Sequence, residues 1–272
     1  MKTLIRLGSV VPNGVGGPEA GAIDLIYSFL LLKYEQNFYR YISINQIDEE
    51  LQEFIVKEPG EKIHVNIRYS ANKDFERLSF AERNIIRLDV IHSAMVRISD
   101  FDNKLDKEIL GKIKEEIINK EFTFEIGCKK INNRNSKSLI AVIIVDPKPD
   151  KFDYYILIKK DNVEKCRVHL YSGLTNLYYF DKFFQYGKWK REDELIMTGK
   201  AKEVEIHLSI KDCSIKYVNL TVYEKPPMFE MFRSGLSEEE KDKAYSNWRS
   251  SLPPEINAVI DIADQSEAEK DA

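Results

Sequence analysis

A chain of 272 residues that is 43 % apolar and 11 % aromatic carries enough apolar surface for a core, which excludes a disordered polymer. Its 41 Lys and Arg nearly balance its 45 Asp and Glu, and a net charge of -4 argues against nucleic acid as the default partner. The longest apolar run, residues 23–32, is about half of the roughly 20 residues that cross a bilayer, so no membrane partner is expected.

Residues 3–11 pattern as a strand and run into Pro12-Asn13-Gly14-Val15-Gly16-Gly17-Pro18, a loop enforced by glycine and proline. Arg6 and Gly8 interrupt any signal-peptide core at this end, and a cytoplasmic location is expected. Pro18 suits a first helical turn, and Ile23, Ile26, Leu30 and Tyr34 then recur at helical spacing in a helix that should be largely buried. A strand over residues 38–44, a short acidic helix over 48–56 and an alternating strand over 63–69 complete a β-α-β-α-β segment, residues 1–72.

Ser79-Phe80-Ala81-Glu82 is a capping box. Behind it Leu88, Ile91, Met95 and Ile98 form one apolar stripe, and Leu105, Ile109, Ile113 and Ile117 form a second. The short connection between them predicts an antiparallel helical hairpin. From Phe122 the period changes to two. Strands are expected near 122–126, 139–145, 154–158, 166–170, 204–210 and 214–223, the first four as a meander. A second capping box at Ser237 opens a C-terminal helix, and residues 263–272 form an acidic tail too polar to bury itself. The fold class is therefore α+β: a mostly antiparallel sheet with an amphipathic helical hairpin, residues 73–262, preceded by the smaller N-terminal segment.

The chemistry-bearing residues are sparse. Cys128, Cys166 and Cys213 are odd in number and far apart, which disfavours a disulfide framework and fits a reducing compartment. With four histidines and no HExxH or CxxC spacing, no metal site and no cofactor are expected. His64, His169 and His207 fall on polar strand positions and read as solvated imidazoles unless two share one sheet face. His92 lies one helical turn after Asp89, so the carboxylate could orient the imidazole for a hydrolase-like enzyme, or the two form a plain helix pair. The glycine loop before the first helix has the ingredients of an anion cradle but matches neither GxGxxG nor GxxxxGK[ST]. Lys129, Lys130, Arg134 and Lys137 concentrate cations in an expected hairpin tip, a candidate anion site or a solvated turn.

The densest feature is residues 178–189. Tyr178, Tyr179, Phe183, Phe184, Tyr186 and Trp189 suit a protein interface, a core-packing segment or, with the adjacent cations, single-stranded nucleic acid. Met228, Phe229 and Phe232 in the Pro226-Pro227 loop have similar character and would extend the same surface.

The run Leu78-Ser79-Phe80-Ala81-Glu82-Arg83 and Leu88-Asp89-Val90-Ile91-His92-Ser93-Ala94, with the second helix and the strands bearing Lys129-Lys130, resembles uncharacterised bacterial immunity-type proteins encoded near toxins. The resemblance spans about residues 63–170. It implies a non-enzymatic protein-binding role, inhibition of a cognate toxin, and brings no catalytic residues with it.

Overall fold

The computed structural model describes residues 3–10, 14–16, 18–69, 75–134, 136, 138–148, 151–173, 184–199 and 204–219, with 237, 239, 240, 242, 243, 246 and 250. The fold is α+β, and the chain divides into two compact units. The first holds residues 1–126 with 145–152 and 174–176, and the second holds the rest. The helical hairpin thus belongs with the N-terminal sheet, where the sequence reading placed a division at residue 72.

The first unit is built on strands β1 (Leu4–Ser9), β2 (Tyr41–Ile47), β3 (Phe54–Glu58) and β4 (Lys62–Arg68), in the order β1-β2-β4-β3. β1, β2 and β4 run parallel, and β3 runs antiparallel to β4. Helix α1 (Gly21–Lys33) forms the β1 to β2 crossover, and nearly its whole circumference is apolar and buried: Ala22, Ile23, Leu25, Ile26, Tyr27, Leu30 and Leu31. Ile5 and Leu7, Ile42 and Ile44, and Ile63, Val65 and Ile67 are in register on one buried face of the sheet. One residue's slip in any strand would turn its apolar set outward.

Residues 48–56 are not a helix. Asp48 Oδ1 accepts from the amides of Glu50 and Leu51, which makes a turn and not a helix start. Phe54, Ile55 and Val56 then pair with Asn66, Val65 and His64. The β-branched residues follow the adjacent strand in preference to the acidic pattern before them.

α2 (Phe80–Asp102) starts at the expected capping box: Ser79 Oγ accepts from the Glu82 amide at 3.3 Å, and Glu82 Oε2 accepts from the Ser79 amide at 2.9 Å. Asn103 leaves α2 with φ 57°, Asp106 caps α3 (Lys107–Asn119), and the two helices form the expected hairpin. The Asp106 amide donates to Gln36 Oε1 at 2.8 Å, so the hairpin turn is fastened just beyond α1.

Two four-stranded meanders make up most of the described part of the second unit. One is β5 (Ile126–Asn132), β6 (Leu139–Pro147), β7 (Phe152–Lys160) and β8 (Val163–Gly173). The other is β9 (Tyr186–Trp189), β10 (Glu194–Thr198), β11 (Val204–Ser209) and β12 (Ser214–Asn219), antiparallel throughout. β5 lies against β9. A Cβ at Gly187 would sit 2.3 Å from Ile131 Cδ1, and Trp189 Nε1 donates to the Ile131 carbonyl at 3.3 Å. At the other margin β8 meets β12, where the Tyr217 hydroxyl donates to the Leu170 carbonyl and Cys166 is bonded to Cys213. That disulfide runs against the reading that disfavoured disulfide pairing among these cysteines. Their Cα atoms are 5.8 Å apart despite 47 residues of separation, a proximity created by strand order alone.

Candidate functional site

Asp89 and His92, the alternative catalytic pair, each have a partner on another helix. Asp89 Oδ1 takes an ion pair from Lys114 of α3 at 2.8 Å, and His92 Nδ1 lies 3.3 Å from the Tyr27 hydroxyl on α1. Burial lowers the His92 pKa, Lys114 adds to that, and Asp89 opposes it. Both residues tie helix to helix.

The glycine loop is also committed internally. A Cβ at Gly16 would sit 2.5 Å from the Gly8 carbonyl carbon, so only glycine lets the loop press onto the end of β1. Gln46 Oε1 accepts the Val15 amide at 2.7 Å, and Gln46 Nε2 donates to the Tyr69 carbonyl at 2.8 Å. Arg87 Nε donates to the Val15 carbonyl at 3.0 Å, and its Nη2 pairs with Glu19 Oε2 at 2.8 Å. The Val15 amide that an anion would need already has an acceptor. Sequence reading missed Arg87 and Asn84, although both interrupt the apolar stripe of α2 and are buried there.

Asp24 is the other missed group, an acid inside the apolar run of α1. Its Oδ2 accepts the Leu7 amide at 3.1 Å, and Ser28 Oγ, one turn on, accepts the Ile5 amide at 3.1 Å. Burial pushes the Asp24 carboxyl up to about 7, against the pull of the Leu7 amide, Arg87 and Arg6.

The predicted cations separate. Lys129 is half-buried in β5, donates to the Gln185 carbonyl and lies 5.8 Å from the centroid of the Tyr186 ring; burial lowers its pKa. Lys129 and Lys130 belong to a strand, not to a hairpin tip. Lys130 and Arg134 are exposed, and Lys137 lies outside the described residues.

The aromatic group separates as well. Phe184 is fully buried, 5.3 Å from the Tyr154 ring and 6.5 Å from the Tyr171 ring, so it is core and not partner surface. Trp189 is half-buried against β5, and Tyr186 is 49 % exposed. Tyr178, Tyr179, Phe183, Met228, Phe229 and Phe232 lie outside the described residues.

His64, His169 and His207 stand in three different sheets. His169 belongs to a small polar cluster that sequence spacing did not reveal. Its Nε2 is 3.0 Å from Ser172 Oγ, and that hydroxyl donates to Asp153 Oδ1 at 2.6 Å. The serine bridges acid and imidazole, whereas acyl transfer requires the imidazole between them.

What remains is the face of the first sheet opposite its helices. Register places Leu4 beside Tyr41 and Lys62, Arg6 beside Ser43 and His64, and Asn66 beside Phe54, with His64 beside Val56. Leu4 is 50 %, Phe54 43 % and Val56 47 % exposed. Tyr41 meets His64 edge to face with centroids 6.1 Å apart, and His64 Nε2 lies 3.3 Å from Glu58 Oε2. Arg6 and Lys62 are exposed cations on this face.

No family model matches the chain, nor does any curated protein or solved structure. Among the described residues there is no group of three or more His, Cys, Asp or Glu placed to hold a metal ion, and no helix is long and apolar enough to cross a membrane.

Proposed function

We propose that this chain is a non-enzymatic protein-binding factor, an immunity-type inhibitor that takes a cognate bacterial toxin on the helix-free face of its first sheet. The carrying observation is that β1, β2 and β4 are parallel and, among the described residues, have helices on one face, while Leu4, Phe54 and Val56 stand exposed on the other. Parallel sheets are nearly always covered on both faces. The resemblance over residues 63–170 supports the same reading, as does the engagement of Asp89, His92 and Val15 in internal ties.

The partner's surface is apolar and acidic. Arg6 and Lys62 are exposed on this face, where Glu58 lies within 3.3 Å of His64, in a chain of net charge -4.

Co-expression with the product of the adjacent gene, scored by growth and by co-purification, tests the reading. Wild type should bind and protect, and Leu4→Glu should weaken binding at least about tenfold without changing the melting temperature. Absence of binding and protection by wild type, or full protection by Leu4→Glu, would overturn it.

A further inference from the structure

The two meanders of the second unit are tied at two margins, and the ties differ in kind. At β5 and β9 the tie is close packing: Gly187 leaves no room for a Cβ beside Ile131, and the Trp189 indole donates to the Ile131 carbonyl. At β8 and β12 the Tyr217 hydroxyl donates to the Leu170 carbonyl, and the bond between Cys166 and Cys213 is covalent. β8 and β12 are edge strands of separate sheets and share no ladder among the described residues. A change of redox state therefore acts on this margin and leaves the other alone.

The two sulfurs are unequal. Cys166 sits within β8 and is 4 % exposed, whereas Cys213 ends the turn between β11 and β12 and is exposed. Exchange proceeds by attack of a thiolate on one sulfur of the bond while the other leaves, so access decides which is attacked. A thiolate from solvent reaches Cys213, and the shielded Cys166 is the leaving group. The fold also provides for the reduced state. Cys213 Sγ lies 3.8 Å from the Ile210 carbonyl and 3.9 Å from the Lys165 carbonyl, two acceptors for a thiol proton.

We propose that Cys213 is a thiol–disulfide exchange site, with Cys166 as its resolving partner, through which a small thiol such as glutathione opens and recloses the margin between β8 and β12. One glutathione thiolate bonds to Cys213 Sγ as the bond to Cys166 breaks, and Cys166 leaves as a thiolate and takes up a proton. A second glutathione thiolate attacks the glutathione sulfur of this mixed disulfide. Cys213 then leaves as a thiolate and is protonated in turn. The chain has gained two electrons and two protons, and the two glutathiones depart as one disulfide. In the oxidising direction the Cys213 thiolate opens glutathione disulfide, and the Cys166 thiolate displaces glutathione from Cys213. The margin between β5 and β9 has no such bond to lose, so the unit stays folded while β8 and β12 part.

The test holds the full chain in buffers of graded ratio of reduced to oxidised glutathione, quenches exchange with acid, and locates each modification by peptide mass spectrometry. Wild type should pass reversibly between disulfide and dithiol with native tryptophan fluorescence at both ends. Glutathione disulfide should modify Cys213 in Cys166→Ser at least about tenfold faster than it modifies Cys166 in Cys213→Ser. In reduced wild type, the amides of residues 163–173 and 210–218 should exchange with solvent at least about tenfold faster than in the oxidised chain, with those of 186–189 unchanged.

Reduction that occurs only in denaturant, loss of native fluorescence on reduction, equal modification of the two cysteines, or unchanged exchange along β8 and β12 would overturn the proposal. The exchange measurement uses wild type reduced with dithiothreitol and carries no substitution, so it decides the matter even where a serine variant fails to fold.

Discussion

The first unit packs helices on one face of a mixed, mostly parallel sheet, and polar side chains hold those helices in position. Glu116 of α3 alone receives Lys33 at 2.8 Å, Tyr34 at 2.9 Å and Lys120 at 2.9 Å, while Arg87 clasps the glycine loop and Asp24 clasps β1. The second unit buries apolar side chains such as Phe184 and Tyr154, and its cross-sheet ties gather at the margins of its two meanders. Charge and protons should therefore govern the first unit, and packing and redox state the second.

The largest test of that contrast is Phe184→Ala. It should destabilise the second unit by about 3–5 kcal/mol, the usual cost of emptying a buried aromatic site. Denaturant unfolding followed by Trp189 fluorescence reads it, and a loss under about 1 kcal/mol would move Phe184 out of the core. Next comes Cys213→Ser. Opening a loop of 47 residues costs up to about 4 kcal/mol in the chain-entropy picture, and dithiothreitol should lower the wild type toward the variant while leaving the variant unmoved.

Asp24→Asn probes the first unit. The folded pKa of about 7 lies above the ordinary 3.8, so the native state binds the extra proton and stability falls as pH rises between those values. Asparagine keeps an acceptor for the Leu7 amide and has no proton to lose. The variant should gain on the wild type by roughly 3 kcal/mol between pH 5 and pH 8, and urea melts at those two values would show whether it does.

Glu116→Gln gives the smallest effect with the opposite sign. Burial would raise the Glu116 pKa, but hydrogen bonds from Lys33, Lys120 and Tyr34 win and hold it at about 2, below the ordinary 4.5. Its contribution is complete above about pH 4.5 and is lost as pH falls toward 2. Surface screening limits the loss on substitution to about 1 kcal/mol, and that loss should shrink in 1 M salt.

Local signals in the sequence were read well. The alternation of Val204, Ile206 and Leu208, the capping box at Ser79 and the stripe from Leu88 to Ile98 each need only neighbouring residues to act. β3 was misread because its strand character depends on β4, which follows it in the chain. The Gln46, Arg87 and Cys166 ties were invisible for a related reason, since their partners lie 31, 72 and 47 residues away. Even so, Asp24 and Arg87 left a trace as charged residues inside apolar patterns. The helix-free face was half legible: alternation over 63–69 gave β4 one polar side, but only the sheet order tells that Leu4 and Val56 share it.

The pairing of Asp24 and Ser28 with Leu7 and Ile5 works as a vernier. Four residues of helix advance about 6.0 Å and two residues of strand about 6.6 Å, so two scales of different pitch coincide at two marks. Sliding α1 by a single residue would carry both acceptors out of line together, since each residue also turns the helix by about 100°. The phase of α1 against β1 is thus set by the side chains and not by the connection that leads into the helix. The spacing of Asp24 to Ser28 and of Ile5 to Leu7 is therefore what the fold must keep.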